Sequence, residues 1–120
     1  MCGVVGFCDF TKKSQKGHLS SMMDAIVHRG ADARGNVYHA FNKSVVGLGH
    51  QRLSILDLSD EGTQPMLFEQ LEIVYNGEVY NFKEVRSELK VLKYTFHSNS
   101  DTEVNGMFAI AILIRDRAIY

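Results

Sequence analysis

Four stretches of this 120-residue chain carry residue types that could do chemistry together. Cys2 stands between Met1 and Gly3, so removal of Met1 would leave a cysteine with a free α-amine. Thiols and α-amines both titrate close to neutrality, and one residue would then supply a nucleophile and the base that activates it. Thiolate is the reactive form. Arg52 lies in the run Gly49-His50-Gln51-Arg52-Leu53-Ser54-Ile55-Leu56-Asp57-Leu58, inside an otherwise apolar strand pattern. A buried guanidinium needs an anion and favours a bidentate carboxylate, either a local Asp or Glu or the α-carboxylate of an amino acid. Tyr75-Asn76-Gly77-Glu78 sets an amide donor, a backbone N–H and a carboxylate at one strand-to-turn junction. That set can hold an oxyanion with two neutral donors and an ammonium with the carboxylate, although a plain Asn-Gly turn is the alternative. Asp101 adds a carboxylate, with helix capping as its other reading. Taken alone, Cys2 reads as a small residue packed beside a strand; the other three stretches shift the balance toward a nucleophile.

The elements that must position these residues can be read from periodicity. Val4, Val5 and Phe7 among glycines predict a buried strand within Met1–Phe10, followed by a polar turn over Lys12–Gly17. Leu19, Met22, Met23, Ile26 and Val27 form one apolar helical stripe that stops at His28-Arg29-Gly30, where Gly30 is expected to take positive φ. Strands are predicted near Asn36–Phe41 and Ser44–Leu56 with Asn42-Lys43 as the turn, and Gly47 and Gly49 suggest a bulge or a close approach to ligand. Ser59–Met66 reads as a polar loop around Pro65, and Leu71–Tyr75 as a short strand ended by an Asn76-Gly77 turn. Asn81 and Glu84 propose a capping box for a helix that buries Phe82, Val85 and Leu89. Ser100 and Glu103 form a second helix start, yet Asn105-Gly106 follows after Val104 alone. A helix capped and stopped within one turn gains almost nothing, so either the capping reading is wrong or, the favoured reading, a helix body is missing at Val104-Asn105.

Length and composition set the frame. The chain is one domain's worth, residues 1–120, with a net charge of −1 and no basic block, so nucleic acid is not an expected partner. Its longest apolar run, Met107–Ile114, is too short to span a bilayer and reads as a buried strand, so no membrane attachment is expected. Residues 1–10 lack a basic leader and include Asp9, which argues against a signal peptide and for a cytoplasmic location. In that reducing setting Cys2 and Cys8 are expected as free thiols. Periodicity alone supports a fold class of α+β.

Seven stretches, in order along nearly the whole chain, resemble the N-terminal glutaminase domain of asparagine-synthetase-type class II glutamine amidotransferases, members of the N-terminal-nucleophile hydrolases. They are Met1-Cys2-Gly3-Val4-Val5-Gly6, His28-Arg29-Gly30, Gly49-His50-Gln51-Arg52-Leu53-Ser54, Gln64-Pro65-Met66, Tyr75-Asn76-Gly77-Glu78-Val79-Tyr80-Asn81, Ser100-Asp101-Thr102-Glu103 and Asn105-Gly106-Met107-Phe108-Ala109. The resemblance implies an αββα sandwich, with segments missing near the C-terminal end. It implies Cys2 as nucleophile, Asn76 and the Gly77 N–H as oxyanion hole, and Arg52 as the grip on the glutamine α-carboxylate. Glu78 and Asp101 match residues that take the α-ammonium, the backbone at Leu53 and Ile55 lines the substrate slot, and His28-Arg29-Gly30 forms a loop near the pocket. His50 is read as structural, and His18, His39 and His97 are assigned no task.

The implied reaction is hydrolysis of L-glutamine through a γ-glutamyl thioester, with no cofactor for that step. The implied partner is a C-terminal synthetase domain or subunit that uses ATP and Mg, and is absent from this chain; a homodimer is left open. Two other readings stay in view: a glutaminase domain serving a different acceptor, and a shortened relative that binds glutamine without turnover. Ala31 departs from the family's proline and predicts a looser loop, and Ile112–Tyr120 looks compressed.

Overall fold

The computed structural model describes residues 2–53, 63–96 and 107–114, except the side chains of residues 78 and 107–111. Ile55, Asp101, the Ser100-Glu103 helix start and the Val104-Asn105 join lie outside the described residues. Within those bounds the chain is α+β, with two antiparallel three-stranded sheets and two α-helices. The first sheet has the order β1-β3-β2, from β1 (Gly3–Asp9), β2 (Ala33–Ala40) and β3 (Val45–Arg52). Gly3 pairs with Gln51 and Asp9 with Val45 on one side of β3, and Ala33 pairs with Arg52 on the other. The second sheet is β4-β5-β6, from β4 (Met66–Phe68), β5 (Leu71–Glu78) and β6 (Met107–Ile114).

Side chains alternate across each strand, so each sheet has two distinct faces. On β3, Gly47, Gly49 and Gln51 face helix α1 (Lys16–Ala25), and Gln51 Nε2 donates to the Met23 carbonyl at 3.0 Å. A Cβ on Gly49 would lie 2.8 Å from Met23 Sδ, and one on Gly47 would lie 2.8 Å from the Phe7 ring. The register runs unbroken through both glycines, so they mark no bulge. They let α1 seat Leu19 and Met23 directly on the sheet, where both are fully buried. The second sheet is covered by α2 (Phe82–Val91), whose Phe82, Val85 and Leu89 pack on Tyr75 and Val79 as their spacing predicts.

Several local expectations give way to tertiary context. Helix α1 begins at Lys16, inside the stretch read as a polar turn, because the Gln15 N–H finds an acceptor in His18 Nδ1 at 3.0 Å. It ends at Ala25 and tightens into a 3₁₀ turn over Val27–Arg29, which leaves Val27 exposed. Gly30 is extended, with φ −174°, so it does not serve as a left-handed cap. β2 starts three residues earlier than predicted, and β3 ends at Arg52. Met66 belongs to β4, a strand with no alternation to betray it. β5 runs through Asn76-Gly77 to Glu78, because Asn76 pairs with Ala109 and Gly77 with Phe108 of β6; there is no turn at that dipeptide. Asn81 makes no side-chain capping bond, its φ and ψ of −102° and 26° lying outside the extended geometry such caps use. Among the described residues β1 and β6 each pair on one edge only; Phe10, just past β1, and Ile112 of β6 are exposed.

Candidate active site

The two sheets face one another across β1, β3 and β5. His39 of β2 binds Glu72 of β5 at 2.7 Å, which fixes one end of the gap. At the other end the His50 ring lies against the Tyr75 backbone. Strand β5 therefore runs along the gap beside β3, from Glu72 near His39 to Tyr75 near His50. Alternation puts Glu72, Val74 and Asn76 on the inner face of the second sheet, and Leu48, His50 and Arg52 on that of the first. Val4 pairs with His50, so Cys2, two residues before it, takes the inner side beside Arg52.

Contacts at this end are specific. Cys2 is half-buried, and its sulfur receives the Leu53 N–H at 3.4 Å and lies 3.6 Å from the Leu53 carbonyl oxygen. Arg52 is 7% exposed, and its guanidinium donates to the Thr63 hydroxyl at 3.4 Å among its interactions. The His28-Arg29-Gly30 turn closes one side: a Cβ on Gly3 would meet Arg29 Cβ at 2.9 Å, and one on Gly30 would meet the Arg52 carbonyl oxygen at 2.6 Å. Gly30 is thus a close-approach glycine, and Asp32 reinforces the seam by donating its N–H to the Arg52 carbonyl at 3.1 Å.

His50 is fully buried, and burial pushes its pKa down to about 4. The Tyr75 backbone favours the cation and the Arg52 charge opposes it. Neither ring nitrogen reaches hydrogen-bond geometry with a described residue, which fits a neutral structural ring.

The structure thus brings Cys2, Arg52 and Leu53 together and turns Asn76 toward the same gap. Gly77 is exposed on β5, Glu78 ends that strand, and Ile55 and Asp101 lie outside the described residues. A second cleft of about 540 Å³ opens between the sheets, lined by Val4, Gly6, Cys8, Val46, Leu48 and Val74. Its apolar walls cannot satisfy an ammonium and a carboxylate. Both cysteines are free thiols. Among the described residues no helix is long and apolar enough to cross a membrane.

Sequence reasoning missed three contacts. Thr63 reaches Arg52, His39 bridges the sheets, and the Gln64 side chain accepts the Tyr75 N–H at 2.5 Å. Only Gln64 left a signal, since it precedes Pro65, a residue with no N–H to give a sheet.

The family model described as a glutamine amidotransferase domain matches residues 1–118. A putative asparagine synthetase [glutamine-hydrolyzing] 2 of Methanocaldococcus jannaschii is 34% identical over 99% of this chain and 29% of its own length. Asparagine synthetase [glutamine-hydrolyzing] 1 of Bacillus subtilis is 42% identical over 87% of the chain and 17% of its own length. Amidase chry2 of Gibberella zeae is 37% identical over 87% of the chain and 17% of its own length. The chain spans less than a third of the length of these curated relatives. The first alignment runs over 151 positions, so that relative fills at least 31 that this chain does not.

Proposed function

The chain belongs to the glutamine amidotransferase domain family, and from that membership we propose that it hydrolyses L-glutamine to glutamate and ammonia with Cys2 as nucleophile. The observation that carries the reading is the Cys2 sulfur held on the Leu53 backbone beside the buried Arg52. Once Met1 is removed, the α-amine draws the thiol proton through a water, and sulfur attacks the side-chain carbonyl carbon of glutamine. Asn76 and the Gly77 N–H receive the oxyanion; losing one such donor commonly costs about 2.7–4 kcal/mol of barrier. The carbon–nitrogen bond breaks, the amine returns its proton to the leaving group, and ammonia departs from a γ-glutamyl thioester. Water then cleaves the thioester and frees glutamate and the thiol.

Arg52 takes the α-carboxylate of the substrate, and Glu78 with Asp101 takes its α-ammonium. Such a site rejects analogues that lack either charge, because its own groups would be left unpaired. The succession of α1, first sheet, second sheet and α2 supports the αββα sandwich. We place the positions filled only by relatives at Val104-Asn105 and within Ile112–Tyr120. Glutamine hydrolysis draws on no cofactor by this route. Its ammonia would pass to a C-terminal synthetase half that uses ATP and Mg to make asparagine.

The likeness to amidase chry2 favours a second reading, in which the same glutaminase serves another acceptor. Incubation of the Met1-trimmed protein with a glutamine-like electrophile tests the shared step. Intact mass should rise by one label, mapped to Cys2 and lost in Cys2→Ala. Label on Cys8, or none on folded and trimmed protein, rejects the nucleophile assignment.

A further inference from the structure

Gln64 lies outside any strand, yet its buried side chain completes one. β4 pairs with β5 from Phe68–Leu71 back to Met66–Ile73, and the same register continued would set residue 64 beside Tyr75. Backbone pairing stops at Met66, and Pro65 has no N–H with which to extend it. The Gln64 side-chain oxygen accepts the Tyr75 N–H instead, at 2.5 Å, where a backbone carbonyl of the ladder would have stood. Gln64 is 5% exposed, and a Cβ on Gly35 of β2 would collide with its carbonyl oxygen, so the residue is held from behind as well.

This substitution falls at a sensitive place. In an antiparallel strand successive N–H groups point to alternate edges. The Tyr75 N–H points to the Gln64 edge, and the Gly77 N–H two residues on returns to that edge. Between them Asn76 turns its side chain into the gap that holds Cys2. Among the described residues no strand pairs with this edge of β5 beyond Ile73. Gln64 is then the group that fixes the edge where the oxyanion donors must be aimed. We propose that Gln64 is a positioning residue for the oxyanion hole, holding the Tyr75 amide so that Asn76 and the Gly77 N–H are aligned before substrate arrives. The proposal rests on the roles given above to Asn76 and Gly77. Gln64 itself touches no substrate; donors aligned in advance need no reorganisation during reaction, and a misplacement of about 1 Å can lose about a hundredfold in rate.

Gln64→Met keeps the length of the side chain and removes its acceptor. In the full chain its kcat for glutamine hydrolysis should fall at least tenfold, with KM within twofold of the parent. Alkylation of Cys2 by iodoacetamide, which passes through no oxyanion, should keep its rate. Gln64→Glu retains an oxygen at the same reach and should hold kcat within threefold. An unchanged kcat in Gln64→Met, or a joint collapse of kcat, KM and alkylation, overturns the proposal. Should Gln64→Met fail to fold, Gln64→Glu decides: kcat within threefold supports the role and a tenfold loss overturns it. Cys2→Ala separates the two levels. If it still hydrolyses glutamine, the nucleophile reading falls; if it is inactive while Gln64→Met is not, only the Gln64 role falls.

Discussion

The sulfur of Cys2 lies 3.4 Å from the backbone nitrogen of Leu53 and 3.6 Å from its carbonyl oxygen, across 51 residues of chain. One residue therefore offers a donor to the thiolate and an acceptor to the thiol. Both protonation states have a partner without any rearrangement, which suits a nucleophile that must lose and regain a proton in each cycle. The pairing exists because β1 and β3 are antiparallel neighbours whose register stops one residue short of Cys2, leaving the sulfur to bond where the ladder ends.

Gly30 guards that relationship. A Cβ there would lie 2.6 Å from both the Arg52 carbonyl oxygen and the Leu53 nitrogen, so Gly30→Ala must push this peptide away from the turn. Overpacking of this kind costs about 1–3 kcal/mol. Denaturant unfolding should report that loss. Alkylation of Cys2 should slow about tenfold in the protein that remains folded. Wild-type alkylation in a destabilised variant would mean that Leu53 does not tune the sulfur.

Asn76→Ala should lower kcat about 10²- to 10³-fold with little change in KM, as expected for a donor that acts on charge formed only in the transition state. Asn76 is half-buried on an inner face, so stability should change little. A variant that raises KM and spares kcat would assign Asn76 to ground-state binding.

Much of this was legible in the sequence. Leu19 and Met23 of the α1 stripe and the Phe82, Val85 and Leu89 face of α2 follow local periodicity, which burial then uses directly. Val27 of that stripe, by contrast, falls past the helix end and is exposed, and the strand through Arg52 is legible from its apolar character alone. What escaped depended on partners distant in sequence. Asn76-Gly77 carries a turn signature, but pairing with Ala109 and Phe108 keeps it in strand. Gly30 sits where a helix stop favours positive φ, yet its constraint comes from the backbone of Arg52 and Leu53. β4 is three residues long and shows no alternation, so only its partner β5 defines it. Cys2 and Arg52 could be nominated from residue type, whereas the Leu53 N–H that joins them has no side-chain signature at all.

Arg52→Ala should chiefly weaken glutamine binding, raising KM about 10- to 100-fold, since hydrogen bonds to charged groups contribute about 1.5–3 kcal/mol. Arg52→Lys should recover little, because an ammonium cannot reproduce a two-pronged grip on a carboxylate. Isothermal titration of glutamine into a Cys2→Ala background measures binding apart from turnover. Unchanged affinity on loss of Arg52 would remove it from the substrate site.

His50 makes the sheet-to-sheet contact sensitive to acid. Its pKa is about 4 in the folded chain, against 6.5 for the ordinary group, because the ring is buried between the sheets. Above pH 6.5 the imidazole is neutral in both states and adds no pH dependence. Between about 6.5 and 4 the unfolded chain binds a proton that the native chain refuses, so stability falls as pH falls. Below about 4 the ring is protonated in both states and this contribution levels off. The full difference amounts to about 3 kcal/mol, lost progressively across that window. Equilibrium unfolding at half-unit intervals from pH 7 to 4 should show the decline, and His50→Phe should flatten it, since a neutral ring of similar size leaves nothing to protonate. An identical slope in that variant would place the acid sensitivity elsewhere.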